Sequence, residues 1–249
     1  MNFFGNGRSK SVQNNGKIII GDKGYGALLG GQISNAGIVS ARLGKIALGA
    51  GEKITLDFVG DGLMSVSVPS EKLGIIKDIN GNTLKSLISN TGLLKANGGI
   101  IKLSAATAKS LSRSSVNIGS SGVIIARSVN DKTGKVVIGS PANNKIKIAG
   151  KIDVSGHRSL TPSGTIIVKG RSISHNGRIF ARGSSGGKVN IISKDTLKLD
   201  GSIFAQGTKE KGGSVLFLSE KSISSTPKTI VDVSGANKGG RIRSLAKTA

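Results

Sequence analysis

Apolar and polar residues alternate along most of this chain: Ile179 and Ala181, then Val189 and Ile191, are each separated by one outward-type residue. That is the period of a strand, in which successive side chains point to opposite faces. The pattern is clearest from Gly177 to Leu218, where one phrase is nearly repeated. Gly177-Arg-Ile-Phe-Ala-Arg-Gly183 returns 24 residues later as Gly201-Ser-Ile-Phe-Ala-Gln-Gly207. Each copy runs through a glycine pair, Gly186-Gly187 or Gly212-Gly213, into a second apolar run ending at Ile191 or Phe217.

The same template, glycine followed by alternating aliphatic residues, fits at Gly16, Gly37, Gly92, Gly122 and Gly150, and at Thr229 with threonine in the glycine slot. The eight starts are separated by 21, 55, 30, 28, 27, 24 and 28 residues. A period in this range marks a repeat architecture, in which one unit cannot bury its own apolar face and stacked units can. Most units hold a second strand after another glycine, as at Gly44, Gly99, Gly134 and Gly164, and some a third, shorter one: Ile54–Leu56, Ile146–Ile148 and Leu197–Leu199. Three short strands per turn of chain predict an all-β fold, a right-handed parallel β-helix forming one solenoid over residues 1–249. Ile18, Ile20, Val39, Ala41, Ile124, Ala126, Ile152, Val154, Ile179, Ala181, Ile203 and Ala205 share a slot and are expected to form one inward column.

Two departures are expected. The 55-residue interval holds Thr55-Leu-Asp-Phe-Val59, a Gly60-Asp61-Gly62 turn, Leu63 to Val68 and a second turn at Ile79 to Asn82. This reads as an extra β-hairpin near 54–82 projecting from or covering the solenoid. Ser104 to Leu111 is the one helical stretch, short enough to need packing support. Residues 1–12 are polar and glycine-rich and are expected to fray, and unpaired edges of the outermost turns are expected to promote self-association.

Composition narrows the chemistry. There are 38 glycines, 4 prolines, 6 phenylalanines, one tyrosine and no tryptophan or cysteine, so the core builders are Ile, Leu, Val and Ala and no disulfide or thiolate metal site exists. The net charge is +23, spread over every repeat. Such a field attracts polyanions, and the diffuse distribution also fits a merely solvated face. Two outward rows carry the charge along the axis: Lys17, Lys151, Arg178 and Ser202 in one, Lys45, Lys135, Lys188 and Arg241 in the other.

No catalytic, cofactor-binding or metal-binding residue is nominated. Asp153 and Asp232 share a slot, but the two units between them put the carboxylates roughly 14 Å apart, too far for a glycosidase pair. Asp195 and Asp200 flank a strand at turns. His157 and His175 read as solvated turn histidines without a metal partner. Gly24-Tyr25-Gly26 to Gly30 has the wrong spacing for a dinucleotide loop, and Gly60-Asp61-Gly62 occurs once, unlike a calcium repeat. Phe180 and Phe204 occupy equivalent outward slots and are expected to stack within the scaffold.

The stretch Ala27-Leu-Leu-Gly-Gly-Gln-Ile-Ser-Asn-Ala-Gly-Ile-Val-Ser-Ala-Arg-Leu-Gly-Lys-Ile-Ala-Leu48, with Thr55-Leu-Asp-Phe58 and Gly60-Asp-Gly-Leu63, resembles the haemagglutination-activity or secretion domain of filamentous-haemagglutinin-type exoproteins. Ser89 to Gly92, Leu103 to Leu111 and Gly122 to Arg127 are similar to later parts of the same family, and the resemblance covers roughly residues 10–240. It implies residues 1–72 as the end of that domain and 83–249 as continuing repeats. It also implies a secreted or outer-membrane-displayed bacterial adhesin, a non-catalytic shaft exported through an outer-membrane two-partner secretion transporter. The family's two Asn-Pro motifs for transporter recognition are absent, and so is its long repetitive shaft, so the chain is expected to be a fragment truncated at both its N-terminal and C-terminal ends. Anionic glycans or a host surface are the expected partners, with no specific nucleic acid. The alternatives are a basic polyanion-binding module, for glycan or nucleic acid, or a non-functional fragment of a split exoprotein gene.

Overall fold

The computed structural model describes residues 1–5, 9–56, 64–67, 86–106, 114–139, 145–156 and 160–246. Among them the protein is all-β, with parallel strands throughout its main sheets and no helix. The strands fall into three parallel ladders. The first contains Ser11–Asn14, Gln32–Asn35, Ser86–Asn90, Ser114–Ile118 and Lys145–Ile148, then the second halves of Thr165–His175 and Lys188–Leu199, and Ser222–Ser225. The second runs from Lys17–Ile20 through Ile38–Ala41, Leu93–Lys95, Val123–Ile125, Lys151–Asp153, Arg178–Phe180 and Ser202–Phe204 to Ile230–Asp232. The third runs from Tyr25–Gly30 through Lys45–Ala50, Ile100–Ala105, Lys135–Gly139 and the first halves of the two long strands to Ser214–Ser219 and Arg241–Ala246. Each ladder has eight strands, and the chain visits all three before returning to the first, so it forms eight layers.

Register follows the sequence repeat. Ile18, Val39, Leu94, Ile124, Ile152, Ile179, Ile203 and Val231 pair in that order along the second ladder. From Val39 to Ile203 this column is buried, as are Ala41, Ala126, Val154, Ala181 and Ala205 two residues on; Ile18, Ile20, Val231 and Val233, in the outermost layers, are partly buried. Inward aliphatic residues of the first ladder (Ile33, Ile88, Val116, Ile118, Ile146, Ile148, Ile173, Leu197 and Leu199) and buried pairs of the third, such as Ile46 with Leu48 and Val136 with Ile138, complete a continuous core. Because the residues are stacked in register, the same side chain packs against its equivalents above and below, and no aromatic centre is needed.

Two glycine columns fix the corners. A Cβ at Gly37, Gly92, Gly150, Gly177 or Gly201 would collide with a backbone carbonyl oxygen in the layer before, at Gly16, Gly37, Gly122, Gly150 and Gly177 respectively. Gly44, Gly99, Gly164, Gly187, Gly213 and Gly240 meet the carbonyl of the preceding glycine in the same way. The repeated glycine is therefore a requirement of close backbone approach rather than of an unusual φ.

The hairpin is present: Lys53–Leu56 pairs antiparallel with Met64–Ser67, while its turn and residues 68–82, including the turn expected at 79–82, lie outside the described residues. Ile54–Leu56 thus belongs to this hairpin and not to a ladder. Asn2–Phe4 adds a third antiparallel strand against Lys53–Thr55, and the Met1 amino group donates to the Leu56 carbonyl at 2.9 Å. The expectation that residues 1–12 fray is therefore corrected: the opening segment is paired, and Ser11–Asn14 is already a ladder strand. The small sheet buries Ile54, Leu56, Met64 and Val66 on Ala47 and Ala106, with Tyr25, Ala27, Leu29 and Ile100 packed beside them. Burial there pushes the Tyr25 hydroxyl up to about 12.

The helix expected over 104–111 is also corrected where it can be seen. Ser104 and Ala105 end the strand Ile100–Ala105, paired with Gly49 and Ala50, and 107–111 lie outside the described residues. Alternation through Ile101, Leu103 and Ala105, all fully buried, outweighs the helical preference of alanine.

Candidate polyanion interface

The outer surface of the third ladder is where positive charge collects. Its first outward row reads Tyr25, Lys45, Ile100, Lys135, Thr165, Lys188, Ser214, Arg241, so a cation recurs at every second layer. At ~4.8 Å per layer the period is roughly 9.6 Å. The second outward row adds Lys102 and Arg243, and the third adds Lys169. No aspartate or glutamate occupies any outward slot of this ladder. Among the described residues, Lys45, Lys135, Lys188 and Arg241 form no salt bridge. Burial lowers the Lys102 ammonium below its ordinary value, and the Lys135 charge lowers it further.

The other expected row, Lys17, Lys151, Arg178 and Ser202, is also in register, but Ile38, Leu93 and Val123 interrupt it. Of its cations, Lys151 is engaged locally. Arg127 binds Asp153 through Nε at 3.0 Å and Nη2 at 2.7 Å, and Lys151 lies 3.5 Å from the same carboxylate. Burial alone would raise the Asp153 carboxyl; the Arg127 bonds and the Ser155 backbone N–H outweigh it and hold the group below the usual range. Phe180 and Phe204 stack as expected, with centroids 5.5 Å apart, and Arg182 lies over both rings at 5.1 and 4.4 Å. Lys151 covers Phe180 at 5.0 Å. These contacts engage Arg127, Lys151 and Arg182 within the scaffold, although the Arg182 Nε has no hydrogen-bond partner.

The remaining candidates resolve individually. Asp153 and Asp232 sit in one row separated by Phe180 and Phe204, and Asp232 binds Gln206 at 2.5 Å. Asp195 lies between Arg171 at 2.5 Å and Lys221 at 3.2 Å, which hold its carboxyl low. Among the described residues no three His, Cys, Asp or Glu side chains gather to hold a metal. Gly24 to Gly30 leads into the strand Tyr25–Gly30 and not into a phosphate-binding turn. His157 and Gly60 to Gly62 lie outside the described residues. His175 is not solvated. It ends the strand Thr165–His175 with 1% exposure, paired in register with Ile148 and Leu199. Its ring nitrogens lack hydrogen bonds of ordinary geometry, and burial lowers its pKa to about 4, against a smaller raising effect of the Ser202 backbone.

Lys102, Lys169 and Arg243 are the members of the basic face that sequence reasoning missed. The signal was available: each lies two or four residues after a member of the first row and so shares its face. No family model matches the chain, and no curated protein matches it.

Proposed function

We propose that this chain is a segment of a right-handed parallel β-helix serving as a non-catalytic adhesive shaft of a filamentous-haemagglutinin-like exoprotein, and that its third-ladder face holds anionic polymers. The reading of the fold rests on the three in-register parallel ladders, with the handedness expected of parallel crossovers. The exoprotein reading rests on the Ala27 to Leu48 and Thr55 to Leu63 resemblance, and places the chain outside the cell after export through an outer-membrane two-partner secretion transporter. The observation that carries the binding role is the alternating row Lys45, Lys135, Lys188 and Arg241, free of salt bridges among the described residues and without an acid on its face.

A long polyanion lying parallel to the axis meets a cation about every 9.6 Å. Its affinity comes from released counterions more than from any one contact, so binding is weak, salt-sensitive and without sequence selectivity. Retention on immobilised heparin tests this. The chain is expected to elute above physiological salt, and replacing Lys45, Lys135, Lys188 and Arg241 together by Gln is expected to move elution well below it. Unchanged elution of that variant would remove the face from any account of adhesion.

A further inference from the structure

The first outward row of the third ladder has a property that general attraction to polyanions does not use: its cations keep a period. Lys45, Lys135, Lys188 and Arg241 occupy the second, fourth, sixth and eighth layers, with Tyr25, Ile100, Thr165 and Ser214 in the layers between. Among the described residues no other outward row of the ladders repeats this. The row of Lys17 in the second ladder has its cations in the first, fifth and sixth layers. The row of Gln13 in the first ladder has two, Lys147 and Lys198. Lys102 stands beside the periodic row in the third layer, but it is half-buried and already has an interaction partner, so it is not counted in the row. Lys169 lies four residues along the strand from Thr165, roughly 13 Å off the row.

A fixed period selects among anionic polymers. A densely charged chain such as a nucleic acid turns most of its charges to the uncharged slots, and gains there only by counterion release. The polymer that fits turns one anion to the protein every two layers, about 9.6 Å. A β-1,4-linked polyuronate does so by its own stereochemistry. Both linkages to each ring are equatorial, each sugar is about as long as one layer is high, and each is turned over relative to the last. Its carboxylates point alternately to the two edges of a flat ribbon, so one edge presents a carboxylate at every second sugar. Each of these meets a cation in a charge-assisted contact. The sugars between bring hydroxyls, and Thr165 and Ser214 supply hydroxyls that both donate and accept.

We propose that this row binds a β-1,4-linked polyuronate ribbon lying along the axis, with alternate carboxylates on Lys45, Lys135, Lys188 and Arg241. The proposal rests on the polyanion-binding reading above and adds to it a preference for charge spacing, which counterion release does not supply.

The test is a titration of the full chain at physiological salt with two octamers, β-1,4-linked mannuronate and α-1,4-linked guluronate. The two sugars differ in configuration at one ring carbon and carry the same charge, but the diaxial linkage of guluronate buckles the chain and shortens its repeat. The mannuronate octamer is expected to bind at least tenfold more tightly. Exchanging two side chains, Lys135→Thr with Thr165→Lys, keeps the net charge and moves one cation from the fourth layer to the fifth. The exchanged chain is expected to bind mannuronate at least fivefold more weakly and to lose the preference between the octamers, while its elution from heparin stays unchanged. Equal binding of the two octamers by the parent, or an exchanged chain that keeps the preference, would overturn the proposal. With heparin retention intact, either result leaves the general polymer reading standing. A parent chain that heparin does not retain would sink both.

Discussion

Asn14, Asn35 and Asn90 show how a single slot can carry opposite chemistries along one column. Their buried amides bond in series, Asn14 Nδ2 to Asn35 Oδ1 at 2.8 Å and Asn35 Nδ2 to Asn90 Oδ1 at 2.7 Å, and Asn90 Nδ2 ends on the Gly92 carbonyl at 3.2 Å. A buried amide left unpaired costs about 1–3 kcal/mol, so the ladder works because it is satisfied from layer to layer. Past Asn90 the slot turns apolar with Ile118 and Ile148, and then comes His175. Here no amide partner exists, and the ring stays neutral. The consequence for stability has a definite sign. Its folded pKa is about 4 against an ordinary 6.5, so between those values the unfolded chain binds more protons than the folded one. The neutral ring's contribution is intact above pH 6.5 and is lost as pH falls, fully so below about pH 4, a change on the order of 3 kcal/mol. Urea unfolding at pH 7.5 and pH 4.5 should show most of that loss in the parent and much less in His175→Leu, whose side chain suits a column of Ile148 and Leu199. Equal acid sensitivity in the two proteins would assign the effect to other groups.

Between residues and the whole stand the ladders, and they were unequally legible. The second and third ladders announce themselves because every strand but Ile230–Asp232 follows a glycine and most carry two inward aliphatic residues, so both the slot and the turn repeat in the sequence. The first ladder was largely hidden. Gln32–Asn35 carries one central inward Ile and otherwise serine, glutamine and asparagine, and Ser86–Asn90 adds only Leu87 to the same set, a composition that reads largely as turn. Their strand state is imposed by neighbours in register, which no local window reveals. The cation row was legible for the same reason as the second ladder, through its fixed offset from a glycine. The glycine rule itself makes a sharp test. Gly150 and Gly16 hold the same place in the repeat, yet an added Cβ at Gly150 meets the Gly122 and Gly119 carbonyl oxygens, whereas nothing lies within 4 Å of one at Gly16. Gly150→Ala should therefore destabilise by about 1–3 kcal/mol or more, and Gly16→Ala by less than ~1 kcal/mol. Thermal denaturation of the two variants, read side by side, decides it; similar losses would show that the glycines act through local backbone freedom and not through the stacking of layers.

For the molecule as a whole, the layered register makes coupling one-dimensional. Each layer touches only its neighbours, so energy spreads along the axis in steps of ~4.8 Å and is not shared through a common centre. Ile179 and Ile203 are paired directly, whereas Leu94 and Ile203 are four layers apart in the same column with Ile124, Ile152 and Ile179 between them. All are fully buried, and truncating any one to alanine is expected to cost about 2–5 kcal/mol by lost burial and the cavity left behind. What differs is additivity. Ile179→Ala and Ile203→Ala create adjoining cavities that merge or collapse together, so their combined effect should depart from the sum by about 0.5–3 kcal/mol. Leu94→Ala and Ile203→Ala, roughly 19 Å apart, should add to within ~0.5 kcal/mol. Local hydrogen exchange of strand amides is the suitable measurement, because a long array need not unfold in one step and a single global midpoint would blur the difference. In Ile203→Ala the amides of the sixth and eighth layers should lose protection while those of Leu93–Lys95 keep theirs. Loss of protection at Leu93–Lys95 in that variant, or coupling between the distant pair as large as between the adjacent one, would mean that the eight layers behave as one cooperative body and not as a stack of neighbours.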